Sequence, residues 1–188
     1  MQIFMRVNEG CGTQPLLLWD SAWVPAEGEA DWALAGADET QNRGGLSARS
    51  PLETAVILCL FTDKRAPPEL EAGGSGPGGV PPRLDDGDPR GWWGDGIDVR
   101  EDDGESALGS HLWLLERSAL TEETARLAAY YAQEALAVLV TQEACVRVET
   151  DASFDELTGR LDLTAALYGQ DGSRIYDGRF EIYWRDLR

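Results

Sequence analysis

The chain has 188 residues and carries 34 acidic against 16 basic side chains, a formal net charge of −18. A length of this order predicts one domain with appendages, and the acidity argues against a binder of nucleic acid or anionic membrane, since either needs Lys and Arg to neutralise phosphate. Apolar residues at 43%, with seven tryptophans among them, are enough to build a core, which excludes wholesale disorder.

At the N-terminus, residues 1–5 meet Arg6, Asn8 and Glu9 almost at once, so no secretion signal is readable. The longest apolar run, residues 55–61, is far short of the roughly 20 residues a membrane span needs. Residues 1–45 hold two short apolar pieces, 15–19 and 31–35, among Gly, Pro and acidic residues. They predict an N-terminal extended or β arm.

Ser50-Pro51-Leu52-Glu53 opens a helix, with Ser as the cap, Pro at the first helical position and Glu three residues after the cap. The helix is expected over 51–62. It is apolar almost all round, and a helix without a polar stripe is buried on several sides, which places it at the centre of the domain. Cys59 lies within it and, like Cys145, reads as a small buried hydrophobe. With Cys11 the three cysteines are odd in number and scattered, which fits synthesis in a reducing cytoplasm.

Ten of the 17 residues in 66–82 are Pro or Gly. Such a stretch cannot bury enough apolar surface to offset its ordering entropy and predicts a flexible surface loop. Residues 84–104 are acidic and turn-rich, interrupted by Arg90-Gly91-Trp92-Trp93-Gly94-Asp95. Thr121 then caps a helix whose first turn holds Glu122 and Glu123, acids suited to the positive end of the helix dipole. Its alanines recur with 3.6 periodicity to about Thr141 and allow another element to approach closely.

Three strands close the chain, over 145–149, 159–168 and 175–185. Each alternates apolar with charged residues, as in Leu161, Leu163, Ala165 and Leu167 against Arg160, Asp162 and Thr164. A turn at 169–172 joins the last two. The class is therefore α+β: a buried central helix and a long Ala-rich helix packed on a C-terminal antiparallel three-stranded meander, with an N-terminal extended or β arm. The division expected is an arm over 1–45 and a domain over 46–188 that includes the 66–82 loop.

No catalytic constellation is visible. His111 is the only histidine, with no neighbouring nucleophile signature. One His and no CxxC spacing exclude multi-His and Cys-rich zinc sites. The acidic runs 85–88 and 101–105 lack the spacing that wraps calcium. Glu53, the nearest approach to a buried general acid, is explained by capping. Neither a cofactor nor a metal is expected, and the chain does not read as an enzyme. The Trp92–Trp93 pair remains. Two adjacent tryptophans between glycines either plug the end of the core or anchor a protein partner, since Trp and Arg are enriched at interface hot spots.

The order of features resembles the Mu-like phage tail baseplate wedge proteins. These are relatives of the lysozyme-like-named wedge subunit of contractile tails and of type VI secretion baseplates. The resemblance rests on Asp31-Trp32-Ala33-Leu34, on Leu52-Glu53-Thr54-Ala55-Val56-Ile57-Leu58 with Leu60-Phe61-Thr62-Asp63, and on Asp88-Pro89-Arg90-Gly91-Trp92-Trp93-Gly94-Asp95. Gly109-Ser110 with Leu112-Trp113-Leu114-Leu115 and the helix–meander complete it. It implies a structural, non-enzymatic virion component in the tail baseplate, assembled in the host cytoplasm. Its implied partners are other wedge proteins, the tail sheath protein and central tube or hub proteins, with no nucleic acid and no membrane. It also implies a sheet edge on which the first ring of sheath assembles by strand addition, for which Phe180, Glu181, Ile182, Tyr183 and Trp184 are the expected strand. The chain departs from the shorter relatives at Glu143-Ala144-Cys145, where they carry Glu-Pro-Arg. The other readings the acidity and carboxylates allow are a DNA-mimicking inhibitor and, more remotely, a cell-wall hydrolase.

Overall fold

The computed structural model describes residues 2–7, 22–24, 29–31, 51–67, 90–92, 94, 99–100, 102, 106–116 and 118–183. Along the chain these form β1 (Gln2–Val7), β2 (Ala22–Val24), β3 (Glu29–Asp31), α1 (Pro51–Phe61), a 3-10 turn at Leu112–Leu115, α2 (Glu122–Thr141), β4 (Arg147–Asp155), β5 (Arg160–Tyr168) and β6 (Arg174–Tyr183). The class is α+β. One antiparallel sheet runs in the order β1-β6-β5-β4, and β2 and β3 form a separate two-stranded ribbon.

β5 is the centre of the meander, and its alternation is as regular as the sequence suggested. Leu161, Leu163, Ala165 and Leu167 are all fully buried while the residues between them are half-buried. The period-2 pattern puts every second side chain on one face, so that face is sealed by a helix layer. α2 supplies most of the seal. Ala125, Ala128, Ala132, Ala135, Leu136 and Leu139 are buried on one stripe together with Leu127 and Tyr131, whereas Ala129 and Val140, which share the same periodicity, are half-buried and exposed. Thr121 caps the helix by accepting from the Thr124 N–H at 3.3 Å. Two side chains fasten α2 to β4: Gln133 Nε2 donates to the Val148 carbonyl at 3.1 Å, and the Thr150 hydroxyl donates to the Ala129 carbonyl at 2.9 Å.

α1 ends at Phe61 and buries Leu52, Val56, Cys59 and Leu60. Burial in this apolar layer pushes the Cys59 thiol up to about 11. The helix is nevertheless not enclosed all round, for Leu58 is 38% exposed. It faces a groove between α1 and α2 that Ala55, Cys59, Val138 and Leu139 also line. Phe61 meets Phe180 of β6 edge to face, ring centroids 5.3 Å apart.

β6 carries a bulge. Leu167 pairs with Tyr176 but Tyr168 pairs with Arg174, which leaves Ile175 as the extra residue. A bulge turns two successive side chains the same way, and Ile175 and Tyr176 are accordingly both buried. Tyr176 lies across Gly178, where a Cβ would stand 2.5 Å from the tyrosine oxygen. The glycine makes room for the ring.

β1 corrects two expectations. The N-terminal arm is not separate from the 46–188 domain, since its first strand is the fourth strand of the sheet. And Phe180–Tyr183 is not an edge: Gln2 pairs with Tyr183 and Val7 with Gly178 on one side of β6, while β5 occupies the other. The meander ended the sequence pattern and so looked like a boundary, but a strand distant in sequence fills it. Proline at Glu181 would therefore break an interior ladder. Trp184 lies outside the described residues, as do residues 15–19, 32–35 and most of the 66–82 loop.

Candidate functional site

Three sequence segments that lie far apart converge beside the C-terminus of α1. The junction is a single parallel bridge between Asp63 and Ser110. Ser110 N–H donates to the Thr62 carbonyl at 2.9 Å, and Lys64 N–H donates to the Ser110 carbonyl at 3.0 Å. The Ser110 hydroxyl bonds the Leu60 carbonyl, one of the orphan acceptors of the helix end, and accepts from the Leu112 N–H at 3.2 Å. Backbones this close require Gly109. It has φ +115°, and a Cβ there would lie 2.5 Å from the Thr62 carbonyl oxygen.

The side chains that follow lock onto the same strip. Trp113, 8% exposed, donates its indole N–H to the Lys64 carbonyl at 2.8 Å. His111, also buried, has Nε2 3.1 Å from the Arg65 carbonyl and Nδ1 3.5 Å from a Glu134 carboxylate oxygen on α2. Its ring meets Tyr131 edge to face at 5.7 Å. Lys64 Nζ approaches the other Glu134 oxygen at 3.5 Å. The lone histidine is thus a packing and tethering residue, joining the 62–66 strip to α2.

The hydrogen bond with His111 holds the Glu134 carboxyl below its ordinary value of 4.5, against the opposing effect of burial; the charges of His111 and Lys64 add to the lowering. A carboxylate whose folded pKa is depressed stabilises the fold above its unfolded pKa and loses that contribution as the pH falls through the folded value. Glu134→Gln is therefore expected to be less stable than the parent at about pH 7, with the difference shrinking as the pH falls through the depressed folded pKa, as urea midpoints over an acid pH series would show. The half-exposed carboxylate keeps the effect small.

The third segment is Arg90-Gly91-Trp92. Arg90 adopts φ +45° and Gly91 φ +99°, a left-handed pair that turns the chain sharply. The turn aims the Arg90 guanidinium 5.0 Å from the centre of the Trp113 ring, between Asp63 at 3.3 Å and Glu116 at 3.7 Å. Trp92 is 37% exposed, and Gly94 is buried beneath its ring, where a Cβ would stand 2.3 Å from ring atoms. So Arg90 and Gly94 are structural. Trp92 shows a face to solvent, as does the ion-paired Arg90. Trp93 and Asp95 lie outside the described residues.

Sequence reading singled out these segments one by one but not their meeting. It also missed Lys64, Tyr131 and Glu134. Nothing local marks them, because their roles come from what lands on them. The face of the sheet away from the helices is polar. Glu149, Asp151, Asp162, Asp177 and Glu181 are interleaved there with Arg160, Arg174 and Arg179 along an open trough. The ions pair along its strands, Arg160 with Asp162 at 3.0 Å and Arg174 with Asp177 at 2.9 Å. Among the described residues, no group of three or more His, Cys, Asp or Glu could hold a metal ion, and no helix is long and apolar enough to cross a membrane.

The model of the family "Phage protein GP46" matches residues 52–174, which spans all three converging segments. The baseplate protein gp46 of Escherichia phage Mu is 35% identical over 147 residues, covering 77% of this chain and 88% of its own length. No solved structure matches the chain.

Proposed function

The chain belongs to the phage protein GP46 family, and on that premise we propose that it is a structural, non-catalytic subunit of a contractile tail baseplate. In this reading it is an inner wedge protein that docks against other wedge proteins and starts sheath assembly through an edge of its sheet. It works in the virion after assembly in the host cytoplasm. The observation that carries the reading is the likeness to a baseplate protein over most of both chains. The fold is compatible with it, because an antiparallel sheet offers main-chain hydrogen bonds to an added strand. The DNA-mimic reading needs an unbroken array of carboxylates, and the open sheet face instead alternates them with arginines.

The test is electron microscopy of particles from a phage lacking this gene. The expected result is the absence of normal contractile tails, restored by the gene in trans; normal tails without it would overturn the proposal. Within this reading Trp92 is a partner anchor. Trp92→Ala is expected to leave a folded, soluble protein with its melting temperature nearly unchanged, and to reduce tail yield. Normal tail yield in that variant would remove Trp92 from the interface.

A further inference from the structure

Two unfavourable local features hold one indole at the surface. The first is backbone strain. Arg90 is a non-glycine residue at φ +45° and is followed by Gly91 at φ +99°, a conformation that persists only where its surroundings enforce it. The second is a space kept clear for the ring. The six-membered ring of Trp92 lies on Gly94, where a Cβ would stand 2.3 Å from Cη2 and Cζ3 and 3.0 Å from Cε3. The indole is thus seated against a residue that has no side chain, while 37% of Trp92 stays open to solvent. A tryptophan that only sealed the core would turn inward, as Trp113 does.

The ground beside this ring is anionic. The Arg90 guanidinium reaches Asp63 and Glu116 through the same nitrogen, Nη1, at 3.3 and 3.7 Å. Two carboxylates share one cation, which leaves a surplus of negative charge, and all three side chains are more than a third exposed. The Cα atoms of Arg90 and Trp92 are at most about 7 Å apart, being two residues along the chain, so indole and acids belong to one patch. An aromatic face beside surplus negative charge attracts a cation, and a chain of net charge −18 draws cations toward it. A guanidinium suits both features, because its plane stacks on an indole while its edge donates to carboxylates. The chain already uses this arrangement internally: Arg90 lies over Trp113 at 5.0 Å, between the same two acids.

We infer that the Trp92 face takes an arginine side chain from another protein subunit, stacked on the indole with its N–H edge turned toward Asp63 and Glu116. The inference rests on the reading of Trp92 as a partner anchor and adds the chemistry of what is anchored, a basic segment in place of an apolar one. Because Gly94 fixes the ring in advance, the arginine meets a preformed surface and little ordering opposes its docking.

The probes are two peptides, acetyl-Gly-Ala-Arg-Ala-Gly-amide and its counterpart with citrulline, which keeps the shape of arginine without the charge. They are titrated into the full-length protein by NMR, with the Trp92 indole N–H assigned by its loss in Trp92→Ala. The arginine peptide is expected to bind roughly three- to tenfold more tightly than the citrulline one, with shifts centred on Trp92. Glu116→Gln is expected to remove most of that preference. Gly94→Ala tests position: the added Cβ displaces the ring and leaves both acids in place, so the preference is lost. The obstacle there is the end of a side chain and not backbone, so the melting temperature is expected to hold. Should it fall, Trp92→Ala, which removes the ring without crowding, carries the same test. Equal binding of the two peptides, shifts scattered over the acidic surface away from Trp92, or a preference that survives both Trp92→Ala and Glu116→Gln would each overturn the inference. The two proposals fail separately. Normal tails without the gene sink the baseplate reading and leave the peptide result standing, whereas reduced tail yield in Trp92→Ala with equal binding of the peptides keeps the anchor and removes the arginine.

Discussion

Phe180→Ala is expected to cost about 3–5 kcal/mol, the range for deleting a fully buried phenylalanine from a core that collapses only partly. Phe180 is 1% exposed, pairs in register with Leu163 of the central strand β5, and meets Phe61 of α1 edge to face. It therefore joins the sheet to the helix layer, and truncation leaves a cavity between the two. For a chain of this size the loss corresponds to a fall in melting temperature of about 10 °C, measurable by calorimetry or by the shift in urea midpoint. Leu157→Ala is the control. Leu157 is equally apolar but 99% exposed at the tip of the β4–β5 turn, and its truncation is expected to change stability by no more than about 0.5 kcal/mol. Comparable effects at the two positions would refute the placement of Phe180 in the core.

Gly109→Ala is expected to cost about 3 kcal/mol, from two sources that a second glycine separates. At φ +115° any Cβ is strained, and here it would also lie 2.5 Å from the Thr62 carbonyl and 3.1 Å from the Lys64 nitrogen. The obstacle is backbone, which cannot rotate away. Relief requires pulling residues 62–64 from Ser110, losing the bonds to Thr62 and Lys64 on which the convergence of the three segments depends. Gly172, in the β5–β6 turn, has φ +78° with nothing within 4 Å of a Cβ. Gly172→Ala therefore bears the conformational cost alone, about 1 kcal/mol. Denaturant unfolding of both variants should give a markedly larger loss at residue 109. Equal losses would mean that the close approach to Thr62 carries no energy.

Much of the secondary structure was legible because it is dictated locally. Thr121 with Glu122 and Glu123 marks the start of α2, and the helix does end at Thr141. The alternation in 160–168 describes β5 as it stands. Local rules did less well where partners intervene. The third strand from the end was read as 145–149 and runs over Arg147–Asp155, because pairing with β5 carries the weakly patterned Asp151, Ala152 and Ser153 into the sheet. α1 was read as buried on several sides, yet Leu58 borders an open groove. Apolarity states which residues can be buried, and only the neighbouring helix decides which of them are.

The acidity that opened the sequence analysis also changes meaning with the fold. On the open sheet face the carboxylates are matched by arginines two or three positions away on the same strand or on the neighbouring strand, so their density there marks ion pairing more than repulsion. Such exposed pairs add little stability. They keep a broad uncovered sheet face soluble without an apolar patch.

By itself the sequence determined the two helices and the C-terminal strands, their amphipathic faces, the α+β class and the motif order that resembles a baseplate family, since all of these are written in residues a few positions apart. The tertiary structure alone decided three things: that Asp63, Arg90 and Ser110 meet at one junction, that the lone histidine is a tether to α2, and that β6 is covered by β1. Each depends on residues from about twenty to some 180 positions apart along the chain. Short-range propensity and periodicity carry no information about such pairings. They are selected by which apolar faces can be buried together and which backbone groups remain to be satisfied.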